Sequence, residues 1–334
     1  MRRPTLAVAL VVLVASALLT TSLAGSPALA SYRGALSPVA RVWSEPTAGY
    51  DFLDAAVLHA RRSIDLSLYE LSDPTMERDL IARARAGVVV RVLLNADYDG
   101  RYENAAAATT LAAGSVHVAW ADPGTIFHAK YALIDDDVAY VGTGNLVESD
   151  YPSTRDFWVE DTRPSDDAAI ASTFDADFNH RDAAPVEAGG LLWSPGSTSA
   201  LVALIDSASH TLLVENEEMD DAAIEAALEG AARRGVEVKV VMTYSPEWSA
   251  ALGRLRAAGV RVSTLGSSQI YIHAKVICAD CSASGGTVFI GSENFSTSSL
   301  EYNRELGVLS ASRAAVSAVE GAVDADYAIG RVAS

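Results

Sequence analysis

One motif occurs twice in this chain, and nothing else in the sequence constrains the fold as tightly. Segments 128–135 and 273–280 both fit the frame H-x-K-x4-D, beginning at His128 and His273. Each is followed by a short turn ending in Asn: Gly142-Thr143-Gly144-Asn145 and Gly291-Ser292-Glu293-Asn294. Eleven residues beyond each Asn stands a carboxylate preceded by Arg, at Arg155-Asp156 and Arg304-Glu305. Two copies of so long a constellation imply two like halves, and one site built from both.

The duplication extends along the chain. Trp43 and Trp193 open the two halves at equivalent places and read as packing residues. In the first half, residues 54–62, 75–86 and 104–113 read as helices, and 64–69, 87–94, 116–120 and 139–142 as strands. The second half repeats the order, with helices at 201–209, 221–234 and 246–258 and strands at 212–215, 235–242 and 260–265. Helices near 165–179 and 314–327 close the halves. The alternation predicts an α/β fold: two homologous halves, each a mixed, mostly parallel sheet flanked by helices, packed about a pseudo-two-fold axis. The tight turn Asp135-Asp136-Asp137 predicts an antiparallel return after the first motif. The expected division is 31–180 for the first half, a linker at 181–192 containing Pro185, and 193–334 for the second half.

Residues 1–30 read as an export signal. Arg2 and Arg3 precede an apolar run, and Ala28-Leu29-Ala30 offers a small-residue cleavage site. The expected location is therefore extracellular. Cys278 and Cys281 would meet an oxidising environment there, and a local disulfide stapling the longer second hairpin is the first reading. Two Cys are too few for a zinc site of their own. The net charge of −18 disfavours non-specific binding to nucleic acid or to an anionic membrane, both of which rely on clustered Lys and Arg.

Lys is scarce. Of 25 basic residues only Lys130, Lys239 and Lys275 are Lys, and two of these lie in the paired motif. A compact ammonium in a crowded anion pocket is not replaceable by a broad guanidinium. Residues i and i+2 of a strand share a face, so each His should point with its Lys. Asp135 and Asp280, an odd step further on, should face away and hold structure. Small residues before Asn145 and Asn294 allow close approach of backbone and ligand. Brought together, two Lys and two Asn would hold a tetrahedral anion, and two His would supply a nucleophile and a general acid. Asp156 and Glu305 would orient the imidazoles. Glu70 and Glu218 align between the repeats near the site rim, and Tyr271 shares a face with His273.

These residues give the chain its resemblance to the phospholipase D superfamily, whose hallmark is the duplicated H-x-K-x4-D motif with a downstream G-[ST]-x-N. The resemblance covers nearly the whole chain beyond residue 30. It implies catalytic roles for His128, Lys130, Asn145, Asp156, His273, Lys275, Asn294 and Glu305, with His128 as nucleophile and His273 as acid and base. It implies a phosphohistidine intermediate and no cofactor or metal, Lys supplying the positive charge. Thr143 departs from the commoner Ser but keeps the hydroxyl. The expected activity is hydrolysis of phospholipid head groups to phosphatidic acid, with transfer to alcohols as a companion reaction, at a membrane or micelle surface. With both half-sites in one chain, a monomer is expected. The alternatives are an extracellular endonuclease of the same superfamily, a cardiolipin-synthase-like transferase, and a non-catalytic binding module.

Overall fold

The computed structural model describes residues 36–332 apart from Ser267 and Ser284. The export signal read at 1–30 lies outside the described residues.

Each half is an α/β unit around one mixed sheet. The first sheet has seven strands, in spatial order Arg41–Ser44, Phe157–Asp161, Val138–Gly142, Lys130–Ile134, Ser63–Leu68, Val89–Leu94, His117–Trp120. The second repeats this order with Leu191–Ser194, Glu305–Ser310, Thr287–Gly291, Val276–Ala279, Thr211–Glu215, Glu237–Thr243, Arg261–Leu265, and adds Arg331–Val332 at the far edge. In strand direction both sheets are mostly parallel. In the first, only 130–134 and 157–161 run against the rest. The second sheet begins at Leu191, so Leu191 and Leu192 pair with Val308 and Gly307 and belong to the sheet, where the sequence reading put them in the linker. A continuous buried apolar run, Leu191-Leu192-Trp193, decides that: the connector's Pro and small residues end before it.

Three apolar cores divide the molecule. Helices Asp51–His59, Pro74–Arg85 and Ala105–Ala113 cover the outer face of the first sheet, where Leu53, Leu80 and Leu111 meet Leu66, Val90 and Val92. Helices Thr198–Ser207, Ala222–Arg233 and Ser249–Ala257 do the same for the second through Leu204, Leu228 and Leu255. Between the sheets lies a core common to both halves. There Phe174 of helix Pro164–Phe178 and Val319 of helix Arg313–Ile329 pack with Tyr131, Val141, Val276 and Leu306. Strand residues of period two feed both faces: Val90, Val92 and Leu94 turn outward, while Leu93 turns into the shared core. Each buried aliphatic side chain contributes about 1.5–3 kcal/mol, so these cores hold the halves together as one body.

Local signals place the elements. Asp73 and Asp221 cap equivalent helices, each accepting from the second and third backbone N–H beyond it. Asp135 and Asp136 adopt φ of 58° and 55°, a left-handed pair that Asp tolerates and that joins antiparallel strands 130–134 and 138–142. In the second half the corresponding turn is longer, and Cys278 and Cys281 are disulfide-bonded across it.

Candidate active site

The motifs lie where the chain changes partners. Phe127 bridges to Arg304 of the other half, and Tyr271–Ile272 pairs in parallel with Thr154–Arg155. The His128 and Ala129 N–H groups both donate to the Arg304 carbonyl, at 2.8 and 3.0 Å. The His273 N–H donates to the Arg155 carbonyl at 3.2 Å. Only at Lys130 and at Val276 does each segment join its own sheet. His128 and His273 therefore precede the strands in which the sequence reading put them: the backbone there bonds to the opposite half.

This crossing sets the chemistry. His128 Nδ1 lies 2.8 Å from Glu305 Oε2, and His273 Nδ1 lies 2.9 Å from Asp156 Oδ1. Each imidazole is thus held by a carboxylate of the other half. The carboxylates are themselves fixed. Glu305 Oε1 accepts from Ser299 Oγ at 2.6 Å and Asn303 Nδ2 at 3.2 Å, and Asp156 accepts from Thr143 Oγ1 at 2.5 Å. A Cβ on Gly144 would stand 2.6 Å from the Asp156 carboxyl, so this turn position excludes a side chain.

The arginines that precede the carboxylates are anchored across the interface as well. Arg155 bonds Asp326 through Nε and Nη2, at 2.6 and 3.0 Å. Arg304 Nη2 bonds Asp177 at 3.1 Å. Asp177 and Asp326 went unnoticed in the sequence, although Asp-Ala-Asp followed by an aromatic residue recurs at 175–178 and 324–327.

Lys130 and Lys275 are both fully buried. Lys130 Nζ has no hydrogen-bond partner among the described residues, and the Tyr69 ring lies 5.3 Å away. Lys275 Nζ pairs with Glu217 Oε2 at 3.0 Å. Asn294 Nδ2 lies 3.4 Å from Glu217 and 3.2 Å from Glu218, while Oδ1 of both Asn145 and Asn294 is buried without a partner. Buried cations and amides in this state are costly unless an anion or solvent satisfies them. Asp135 and Asp280 stand apart. Asp135 accepts from the N–H groups of Arg61, Arg62 and Ser63, and Asp280 from those of Ser209, His210 and Thr211, so each ties a motif strand to the preceding helix–strand turn.

Electrostatics separate the two imidazoles' surroundings. Burial, joined by the charges of Lys130 and Lys275, outweighs Glu305 and pushes His128 down to about 4. Burial and then Lys275 push Lys130 down to about 7. Burial alone would raise Glu305, but His128 and Lys130 hold its carboxyl below the usual range. Burial likewise opposes ionisation of Glu217, yet Lys275, His273 and the Tyr271 hydroxyl hold it far below that range. Glu217 is the site residue that sequence reading missed. Counted back from the capping Asp73 and Asp221, it occupies the repeat position of Tyr69.

Two cavities meet at Asn145, Tyr271 and His273. One of about 470 Å³ reaches His128, Asn294 and the rim carboxylates Glu70, Glu217 and Glu218. The other, of about 280 Å³, runs between Tyr50, Tyr151, Tyr271 and Asp150. Among the described residues, neither is lined by Lys or Arg. Among the described residues, no group of three or more His, Cys, Asp and Glu is placed to hold a metal ion.

No curated protein matches the chain. Among solved structures, phosphatidylserine synthase from Haemophilus influenzae Rd KW20 superposes with a TM-score of 0.68 at 10% identity, over 92% of this chain and 91% of that one. Polyphosphate kinase from Porphyromonas gingivalis gives 0.66 at 17% identity over 92% of this chain, which spans 53% of the kinase. The phospholipase D family member Nuc from Salmonella typhimurium gives 0.38 at 23% identity, over 43% of this chain and 95% of Nuc. The first two likenesses establish a shared fold. The model of the family described as cardiolipin synthase, PLD-like domain, matches at residues 53–181 and again at 201–327, one match on each sheet-bearing half. With its duplicated motif crossing from half to half, the chain belongs to the phospholipase D superfamily of phosphodiesterase-type enzymes.

Proposed function

We propose that this protein is an exported phospholipase D that hydrolyses phospholipids bearing a cationic head group to phosphatidic acid. His128, unprotonated at neutral pH and with Nδ1 directed at Glu305, attacks phosphorus through Nε2. The bond from phosphorus to the head-group oxygen breaks, and His273 gives that oxygen a proton. Water then attacks the phosphohistidine while His273 takes its proton, and the phosphorus–nitrogen bond breaks to free the monoester. An alcohol in place of water gives head-group exchange. Lys130, Lys275, Asn145 and Asn294 stabilise charge on the phosphoryl oxygens, the kind of term that removal of one donor lowers by about 10²–10³-fold. Asp135 and Asp280 hold the motif strands in place.

The observation that carries the lipid reading is the smaller cavity beside His273. The rings of Tyr50 and Tyr151 stack at 3.7 Å, and Tyr271 and Asp150 line the same cavity. Aromatic faces with a carboxylate suit an ammonium or quaternary ammonium leaving group. The same acidic lining repels a polyanionic strand, which counts against the endonuclease alternative.

The test is choline release from phosphatidylcholine vesicles in the presence of EDTA, with His128→Ala alongside and single-stranded DNA as competing substrate. Release that survives EDTA and is absent in the variant is expected. Cleavage of DNA with no release of choline would reverse the choice of substrate.

A further inference from the structure

In the second half a carboxylate stands where a phosphoryl oxygen would be bound. Glu217 Oε2 lies 3.0 Å from Lys275 Nζ, 3.4 Å from Asn294 Nδ2 and 3.5 Å from His273 Nε2. Those three atoms are the ones that half would offer to phosphate. The other oxygen, Oε1, accepts from the Tyr271 hydroxyl at 2.6 Å. The first half has no such group. Its equivalent residue is Tyr69, whose ring lies 4.9 Å from that of His128 and 5.3 Å from Lys130 Nζ, leaving that ammonium without a partner among the described residues.

We propose that Glu217 is a built-in competitor for the phosphoryl position, displaced each time a phosphodiester binds. The proposal rests on reading the paired motifs as a phosphodiester site, though not on the identity of the lipid. An arriving phosphoryl oxygen takes the place of Oε2 on Lys275, Asn294 and His273. The Glu217 side chain, about one fifth exposed, turns away toward Tyr271 and the cavity. Both positions hold anions, so occupation by one opposes the other through charge as well as space. A diester carries one negative charge and a monoester up to two, so the monoester product and free phosphate meet the stronger repulsion. Glu217 thereby weakens product retention and sets the site's preference for diesters over monoesters.

The experiment compares inorganic phosphate as an inhibitor of bis(4-nitrophenyl) phosphate hydrolysis by the wild type, Glu217→Gln, Glu217→Ala and Glu218→Gln. Glu218 shares Asn294 with Glu217 but pairs with neither Lys275 nor His273, so it controls for loss of charge at the rim. Glu217→Gln and Glu217→Ala are each expected to lower the phosphate inhibition constant at least about tenfold, and Glu218→Gln less than about threefold. Should one Glu217 variant fail to fold, the other still decides. Unchanged or weaker phosphate inhibition in a folded Glu217 variant overturns the proposal, as does an equal effect of Glu218→Gln. Hydrolysis that persists in His128→Ala would instead sink the site reading itself, an outcome separate from any change in inhibition.

Discussion

The two halves share strand order, capping aspartates, motif and orienting carboxylate, yet they differ where their motifs meet. Around His128 stand an aromatic ring and a buried lysine without a partner among the described residues. Around His273 stand Glu217 in place of Tyr69 and a lysine already paired, and the turns differ as well, the second half carrying buried Glu293 where the first has Gly144. Burial, followed by repulsion from Glu305, raises the Glu293 carboxyl well above the usual range. Duplication therefore supplied the parts, and later divergence at a few positions gave the parts different surroundings. Groups whose environments separate their proton affinities take different catalytic roles.

The largest effects should come from breaking that difference at the imidazoles. His128→Ala and His273→Ala should each lower kcat for a lipid substrate by at least about 10⁴-fold. With 4-nitrophenyl esters, whose leaving group needs no proton, His273→Ala should still form a phosphoenzyme detectable by ³¹P NMR or mass spectrometry. His128→Ala should form none. Phosphoenzyme on His273 in the His128 variant would reverse the assigned roles.

Exchange of the orienting carboxylates comes next. Glu305→Gln and Asp156→Asn keep size but lose the negative charge facing Nδ1. Each should lower kcat by about 10²–10⁴-fold with little change in KM, as expected for groups that act through the imidazole. The double variant should lose far less than the product of the two effects if both act on one reaction path. Steady-state kinetics on short-chain lipids below the micellar threshold would measure both.

The pH profile sharpens the contrast further. His128 must be unprotonated, so kcat/KM should fall as pH drops through about 4. Lys130 must be charged, so it should also fall as pH rises through about 7. A bound phosphoryl anion favours the ammonium, so the alkaline limb of kcat should lie at higher pH than that of kcat/KM. Removal of the lysine charge by Lys130→Met should remove the Lys130 contribution to the alkaline limb of whatever activity remains.

Smaller effects should appear in stability. Asp177→Ala strands the largely buried Arg304, and Asp326→Ala the buried Arg155, at the junction of the halves. Each should cost about 3–5 kcal/mol in urea unfolding, since breaking one partner of a buried pair leaves the other charge uncompensated. Equal costs would mean the junction kept its symmetry where the site lost it. Smallest of all, the Cys278–Cys281 bond closes so short a loop that its reduction should cost at most about 2 kcal/mol and leave kcat unchanged.

Much of this was legible in the chain. The strand and helix positions followed from periods of two and 3.6, because those periods express which side chains a local backbone turns toward a core. Asp73 and Asp221 were ordinary capping signals. The motif residues themselves stood out because they recur at the same spacings. Glu217 and Tyr69 were harder to find, since the repeat differs there and a search for likeness passes over differences. Asp177 and Asp326 were recoverable from the repeated Asp-Ala-Asp, but no local rule says what a helix aspartate will meet.

The sequence by itself determined two α/β halves, the residues of one site, and the strand turns that present them, because each of these depends on neighbours within a few residues. Only the tertiary structure decided that each imidazole takes its carboxylate from the opposite half, that the arginines anchor across the same junction, and that Glu217 reaches Lys275. Those contacts join residues far apart in the chain: His128 and Glu305 are 177 positions apart. Their pairing depends on how two sheets pack over a shared core, a property of summed apolar burial that no single segment encodes.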